Sequence, residues 1–167
     1  MAQTPVEDRL GNPNQKVYFT ELLRECGKRK TRADRIALLK KYHSKNSDTK
    51  LVVQKVMEWL TNDMVKIEIP SGDVPFQTNK TEDYTNVPLM LQGGLDRAKY
   101  FVKGCPSYIE STIKREHFFI QTLESLYTDD AVLLVGLKDK EIVGFHGVTA
   151  QLLIDAFEPK ASSLGNE

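Results

Sequence analysis

The residues best equipped for chemistry are basic and crowded. Lys28-Arg29-Lys30-Thr31-Arg32 is followed by Arg35, Lys40, Lys41 and Lys45. Clustered cations bind nucleic acid by neutralising its phosphates. Thr31-Arg32-Ala33-Asp34 has the form of a helix start, with Asp where Glu is more usual, and its backbone amides would add positive potential to the same patch. The interface expected on these grounds comprises Lys28, Arg29, Lys30, Arg32, Arg35, Lys40 and Lys41. A solvated helix face explains the same run without a ligand. Tyr18, Phe19 and Tyr42 could stack on bases, but their spacing marks them as core, and no element for reading base edges can be named.

The wider charge pattern leaves the same two readings open. Residues 1–50 hold twelve Lys or Arg against six Asp or Glu, and residues 51–167 hold eleven against seventeen, so +6 and −6 cancel to zero. The basic half either meets an acidic partner, nucleic acid included, or lies against the rest of its own molecule.

Catalytic groupings are not evident. His43, His117 and His146 have no Cys or second His at ligand spacing. His117 follows Lys114-Arg115-Glu116 on a helical pattern, where a partly exposed helical His is the simpler reading than a general base. The adjacent acids Glu7-Asp8, Glu82-Asp83 and Asp129-Asp130 point apart on a helix and make poor acid–base pairs. Gly93-Gly94 stands alone and reads as a kink or helix start rather than a phosphate cradle. There is no dinucleotide fingerprint, phosphate loop or nucleophile elbow. Cys26 and Cys105 are read as two reduced thiols. The chain is therefore expected to be a non-enzyme with no cofactor, no metal and no small-molecule substrate. No apolar run approaches membrane-spanning length and the start does not resemble a signal peptide, so a soluble protein away from the membrane is expected.

The elements that must position these residues read mainly as short helices. Residues 1–15, with Pro5, Gly11 and Pro13, read as a flexible arm. Helices are predicted from Val17 to Cys26, after Thr31 with Arg35, Lys40 and Lys41 outward, and after Asn46 with Val52, Val56, Trp59 and Leu60 inward. Met64 to Ile69 alternates like a short strand. Residues 70–86 form one long surface loop. Further helices follow from an Asn86 cap with Pro88 in the first turn, through Gly93-Gly94 to Gly104, from Ile109 to Tyr127, from Ala131 to about Lys138 behind a Thr128-Asp129-Asp130 start, and after Thr149 until Pro159. The fold class is mostly α: an irregular bundle of about six to seven short helices with one long loop and at most a short hairpin. A single domain is expected over 16–159, with a flexible tail at 160–167.

Several segments carry a resemblance. Tyr100-Phe101-Val102-Lys103-Gly104, the run from Ile113-Lys114-Arg115-Glu116-His117 to Leu126, and Lys138-Asp139-Lys140 resemble a family of small uncharacterised proteins of large T4-like tailed phages. Leu38-Leu39-Lys40-Lys41 and Ile67-Glu68-Ile69-Pro70-Ser71-Gly72 fit the same pattern, and the resemblance covers about residues 35–159. It implies a phage gene product in the bacterial host cytoplasm or in a virion, and implies no activity. On helical spacing Ile113, Ile120, Leu123 and Leu126 are core positions, while Lys114, Arg115 and Glu116 project outward as a docking surface. The function expected is a non-catalytic accessory or assembly protein working through protein–protein contacts or self-association. The alternative is a nucleic-acid-binding accessory protein using the basic face.

Overall fold

The computed structural model describes residues 5–12, 14–77 and 89–157. Among them the protein is mostly helical, as expected. It has eight α-helices: α1 (Val6–Leu10), α2 (Phe19–Gly27), α3 (Arg32–His43), α4 (Ser47–Thr61), α5 (Leu91–Asp96), α6 (Thr112–Ser125), α7 (Thr128–Leu137) and α8 (Ala150–Phe157). One 3-10 turn, Arg97–Tyr100, continues α5. No strand forms where Met64 to Ile69 alternates. The described residues make only isolated bridges, Ile67 with Val102 and Leu89 with Leu126.

The chain separates into two compact units, one holding residues up to 54 together with those from 145 onward, the other residues 55–144. Helix α4 contributes its first turns to one and its last turns to the other.

In the first unit, part of the segment expected to be a flexible arm is helical. Val6 and Leu10 of α1 are buried, and Arg9 donates to Glu21 of α2 at 2.7 Å. Glu21 also accepts from the Tyr18 amide at 3.1 Å, satisfying an open donor at the start of α2. Caps recognisable by residue type hold the other helices. The Thr31 hydroxyl accepts from the Asp34 amide, and the Thr149 hydroxyl from the Leu152 amide, each at 3.1 Å. Asn46 and Thr49 cap α4 reciprocally, each side chain accepting from the other's amide. Phe19, Leu22, Leu23, Cys26, Leu39, Tyr42 and Leu153 supply buried apolar surface. Burial pushes the Cys26 thiol up to about 11.

In the second unit, α7 is apolar on all sides and buried, as its sequence requires. The turn after it folds straight back, with the Glu141 amide donating to the Gly136 carbonyl at 2.9 Å. A Cβ on Gly136 would come within 2.7 Å of the Glu141 carbonyl oxygen, so the close return needs glycine there. The Gly93-Gly94 pair lies inside α5, and a Cβ on Gly94 would touch Leu126 at 3.0 Å. The pair is therefore a close-packing device. Asn86 and Pro88, expected to start this helix, lie outside the described residues, and Met90 holds the cap position.

Residues 62–77 contain no regular element, yet they are tied down along their length. The Glu68 amide donates to the Phe101 carbonyl at 2.8 Å, Gly72 to Asp139 at 2.9 Å and Gln77 to Glu124 at 2.9 Å. The Leu89 amide donates to the Ser125 carbonyl at 2.6 Å, next to the residue that holds Gln77. The described part of the long loop thus runs beside α6 from its first turns to its last.

Candidate functional site

Unsatisfied backbone dictates where the second unit places its charges. Helix α4 ends with open carbonyls, and the irregular segment after it supplies more; each needs a donor when buried. Lys140 provides one. Its Nζ donates to the carbonyls of Trp59, Asn62 and Val65 at 2.8, 3.0 and 2.9 Å. All three ammonium hydrogens are thereby used, at the negative end of the α4 dipole. Burial pushes the Lys140 ammonium below its ordinary value, with Asp63 opposing. Lys140 reaches this position from a left-handed backbone, φ 60°, which only a few per cent of non-glycine residues adopt.

Arg115 is the second such donor. It was expected to project outward beside Lys114 and Glu116, and instead it is buried, only 8% exposed. Its Nε donates to the Glu68 carbonyl at 2.8 Å, and its Nη1 to the carbonyls of Ile109 and Glu110 at 2.9 and 3.2 Å. Its guanidinium also lies 5.1 Å from the centre of the Tyr108 ring. The correction has a physical cause: helical spacing ranks positions by polarity, but three carbonyls outside the helix need a planar multidentate donor. The converse correction is Ile113, expected in the core and 82% exposed. Ser111 caps α6, so Ile113 stands in the first turn and its face points to water. Lys114 and His117 are exposed, and Glu116 is half-buried.

Lys138 completes the group. Its side chain is fully buried and pairs with Asp139 at 2.8 Å, and Asp139 in turn accepts from the Gly72 amide. Between these residues lies an open cleft of about 700 Å³. Residues 66–72 form one part of its lining, Thr112, Arg115 and Glu116 of α6 a second, and residues 138–141 the rest. No sequence feature announces this cleft. The Lys-Arg-Glu and Lys-Asp-Lys segments mark two parts of its lining, but only the intervening irregular backbone brings them to one place.

The basic face of the first unit is less continuous than its sequence. Arg35 was expected outward and is half-buried, donating to the carbonyls of Arg29, Gly147 and Gly27 at 3.1, 3.1 and 3.5 Å. Arg29 pairs with Glu7 and with Glu25, and Arg32 with Asp155. Lys28, Lys30, Lys40 and Lys41 remain exposed. The structure thus keeps the lysines of the expected interface at the surface and engages its arginines within the unit.

Among the described residues no group of three or more His, Cys, Asp or Glu side chains gathers to hold a metal ion, and no helix is long and apolar enough to cross a membrane. The fold and cleft define a mostly helical protein whose charged motifs secure its irregular backbone. A family model described as a family of unknown function, DUF6433, matches residues 22–144, and the chain belongs to that family. The matched span includes α6, α7 and every residue lining the cleft. No curated protein and no solved structure matches the chain.

Proposed function

We propose that this protein is a non-catalytic accessory or assembly protein of a tailed phage, acting through protein–protein contacts in the bacterial host cytoplasm or in the virion. The observation that carries the reading is the first turn of α6. Ile113 is 82% exposed there, between Thr112 and Arg115, which both line the cleft. An apolar side chain beside a polar concavity is the pattern of a docking edge, in which the apolar group supplies desolvation and the cleft supplies specificity. The ionisable groups nearest the cleft favour binding over catalysis, because Arg115 and Lys140 are engaged with backbone carbonyls. The phage assignment rests on the sequence resemblance.

The test is capture of partners from phage-infected cells by the tagged protein and by Ile113→Asp, with light scattering for self-association. We expect the wild type to retain a defined partner or a second copy, and Ile113→Asp to lose it while remaining folded. Equal capture by both would end this reading of the α6 edge.

The exposed Lys28, Lys30, Lys40 and Lys41 favour a second reading, a nucleic-acid-binding accessory protein. That reading expects gel-shift affinity that falls steeply with salt and is lost when the four lysines are replaced by Ala. Binding that ignores salt would remove it.

A further inference from the structure

Arg115, one of the residues lining the cleft, has a donor left over. Arg115 is more than nine-tenths buried, and its Nε and Nη1 are occupied by carbonyls. Its Nη2 makes no hydrogen bond to any described residue. Nor is Nη2 among the buried nitrogens and oxygens sealed off without a partner, so it keeps an opening. Arg115 lines the cleft at the N-terminal end of α6, a fourteen-residue helix whose dipole directs positive potential there. Thr112 and Lys66, both exposed, line the same space and add a hydroxyl and an ammonium.

We propose that this cleft receives a carboxylate presented by a partner protein, held by Arg115 Nη2 and the start of α6, with basic groups of the same partner meeting the acids of its lining. The inference deepens the protein-contact reading and rests on it. Charge selects the ligand. The lining holds four cations, Lys66, Arg115, Lys138 and Lys140, and four acids, Glu68, Glu116, Asp139 and Glu141. Lys138 and Asp139 neutralise each other directly. A phosphate carrying −1.5 to −2 charges would face Glu68, Glu116 and Glu141 without enough free cations to match them. A single carboxylate matches the open guanidinium edge, and flanking lysines or arginines on the partner match the three acids. The cleft volume of about 700 Å³ suits a short peptide segment.

The test uses the full chain, labelled with nitrogen-15, and four probes. They are an amidated hexapeptide alternating lysine and aspartate, the same peptide with asparagine for aspartate, an amidation-free lysine–asparagine peptide whose only carboxylate is its C-terminus, and inorganic phosphate. The expected result is a saturable shift of the Arg115 Nε–Hε and Gly72 amide resonances with a carboxylate peptide, at least about tenfold tighter than with its amidated asparagine counterpart. The aspartate and C-terminal arms then say which kind of carboxylate is taken. Equal binding of the amidated asparagine peptide, tighter binding of phosphate, or no shift at these resonances would overturn the proposal. Because every arm uses the wild-type protein, a variant that fails to fold cannot obscure the answer. Loss of partner capture by Ile113→Asp alongside a silent cleft would retain the docking reading and discard this one. A responsive cleft with undiminished capture would keep the carboxylate site and discard only the Ile113 edge as its docking contact.

Discussion

Two sets of cations that look alike along the chain are divided differently between water and the interior. In Lys28 to Lys41 the lysines stay in water, and the arginines pair with acids or carbonyls of their own unit. In the Lys-Arg-Glu and Lys-Asp-Lys segments of the second unit, Arg115, Lys138 and Lys140 are drawn inward beside non-helical backbone. The difference teaches what pulls a charge off the surface. Well-formed helices satisfy their own carbonyls, so α3 asks little of the lysines along it. Residues 62–72 and the end of α4 cannot satisfy theirs, and they recruit cations that reach several acceptors at once.

The comparison breaks or sharpens under substitution. The largest effect is expected at Arg115→Met, which strands three carbonyls and should cost about 3 kcal/mol in urea unfolding. A loss under about 0.5 kcal/mol, the range of an ordinary surface change, would erase the distinction. Lys140→Met should follow at about 2 kcal/mol, with faster amide exchange at the end of α4 and in residues 62–65. Uniform exchange would show that the ammonium is no pin. Arg35→Met should cost about 1.5 kcal/mol, whereas Lys28→Ala, Lys30→Ala, Lys40→Ala and Lys41→Ala should each stay within about 0.5 kcal/mol. Thermal melts of these five variants would expose a wrong division between arginines and lysines.

The smallest effect is a pH response confined to α1 and α2. Desolvation pushes the Glu21 carboxyl up, but the hydrogen bonds from Arg9 and from the Tyr18 amide outweigh it and leave the group below its ordinary value. The stability it adds is therefore complete above the unfolded carboxylate range near about 4.3 and fades as pH falls through the lower folded value. Amide exchange in α1 should rise there in the wild type and change little with pH in Glu21→Gln. A wild type as flat as the variant would refute the pairing.

Much of the helical layout was legible because its signals are local. Thr31 and Thr149 cap the helices they were expected to cap, and Val52, Val56, Trp59 and Leu60 keep the inward spacing of α4. The arm expected at 1–15 hid α1, whose five residues carry too short a pattern to stand out and whose burial depends on α2. Ile113 was misplaced because its polarity fitted the core spacing of α6, while its position in the first turn left it outside the packing.

By itself the chain's order of residues determined the helical class, most helix starts and the apolar faces, since each depends on neighbours within a few positions. The tertiary structure alone decided which cations are buried and where the cleft opens. An arginine's destination depends on carbonyls left without partners many residues away. Glu68 and Arg115 meet only because the chain after α4 runs beside α6.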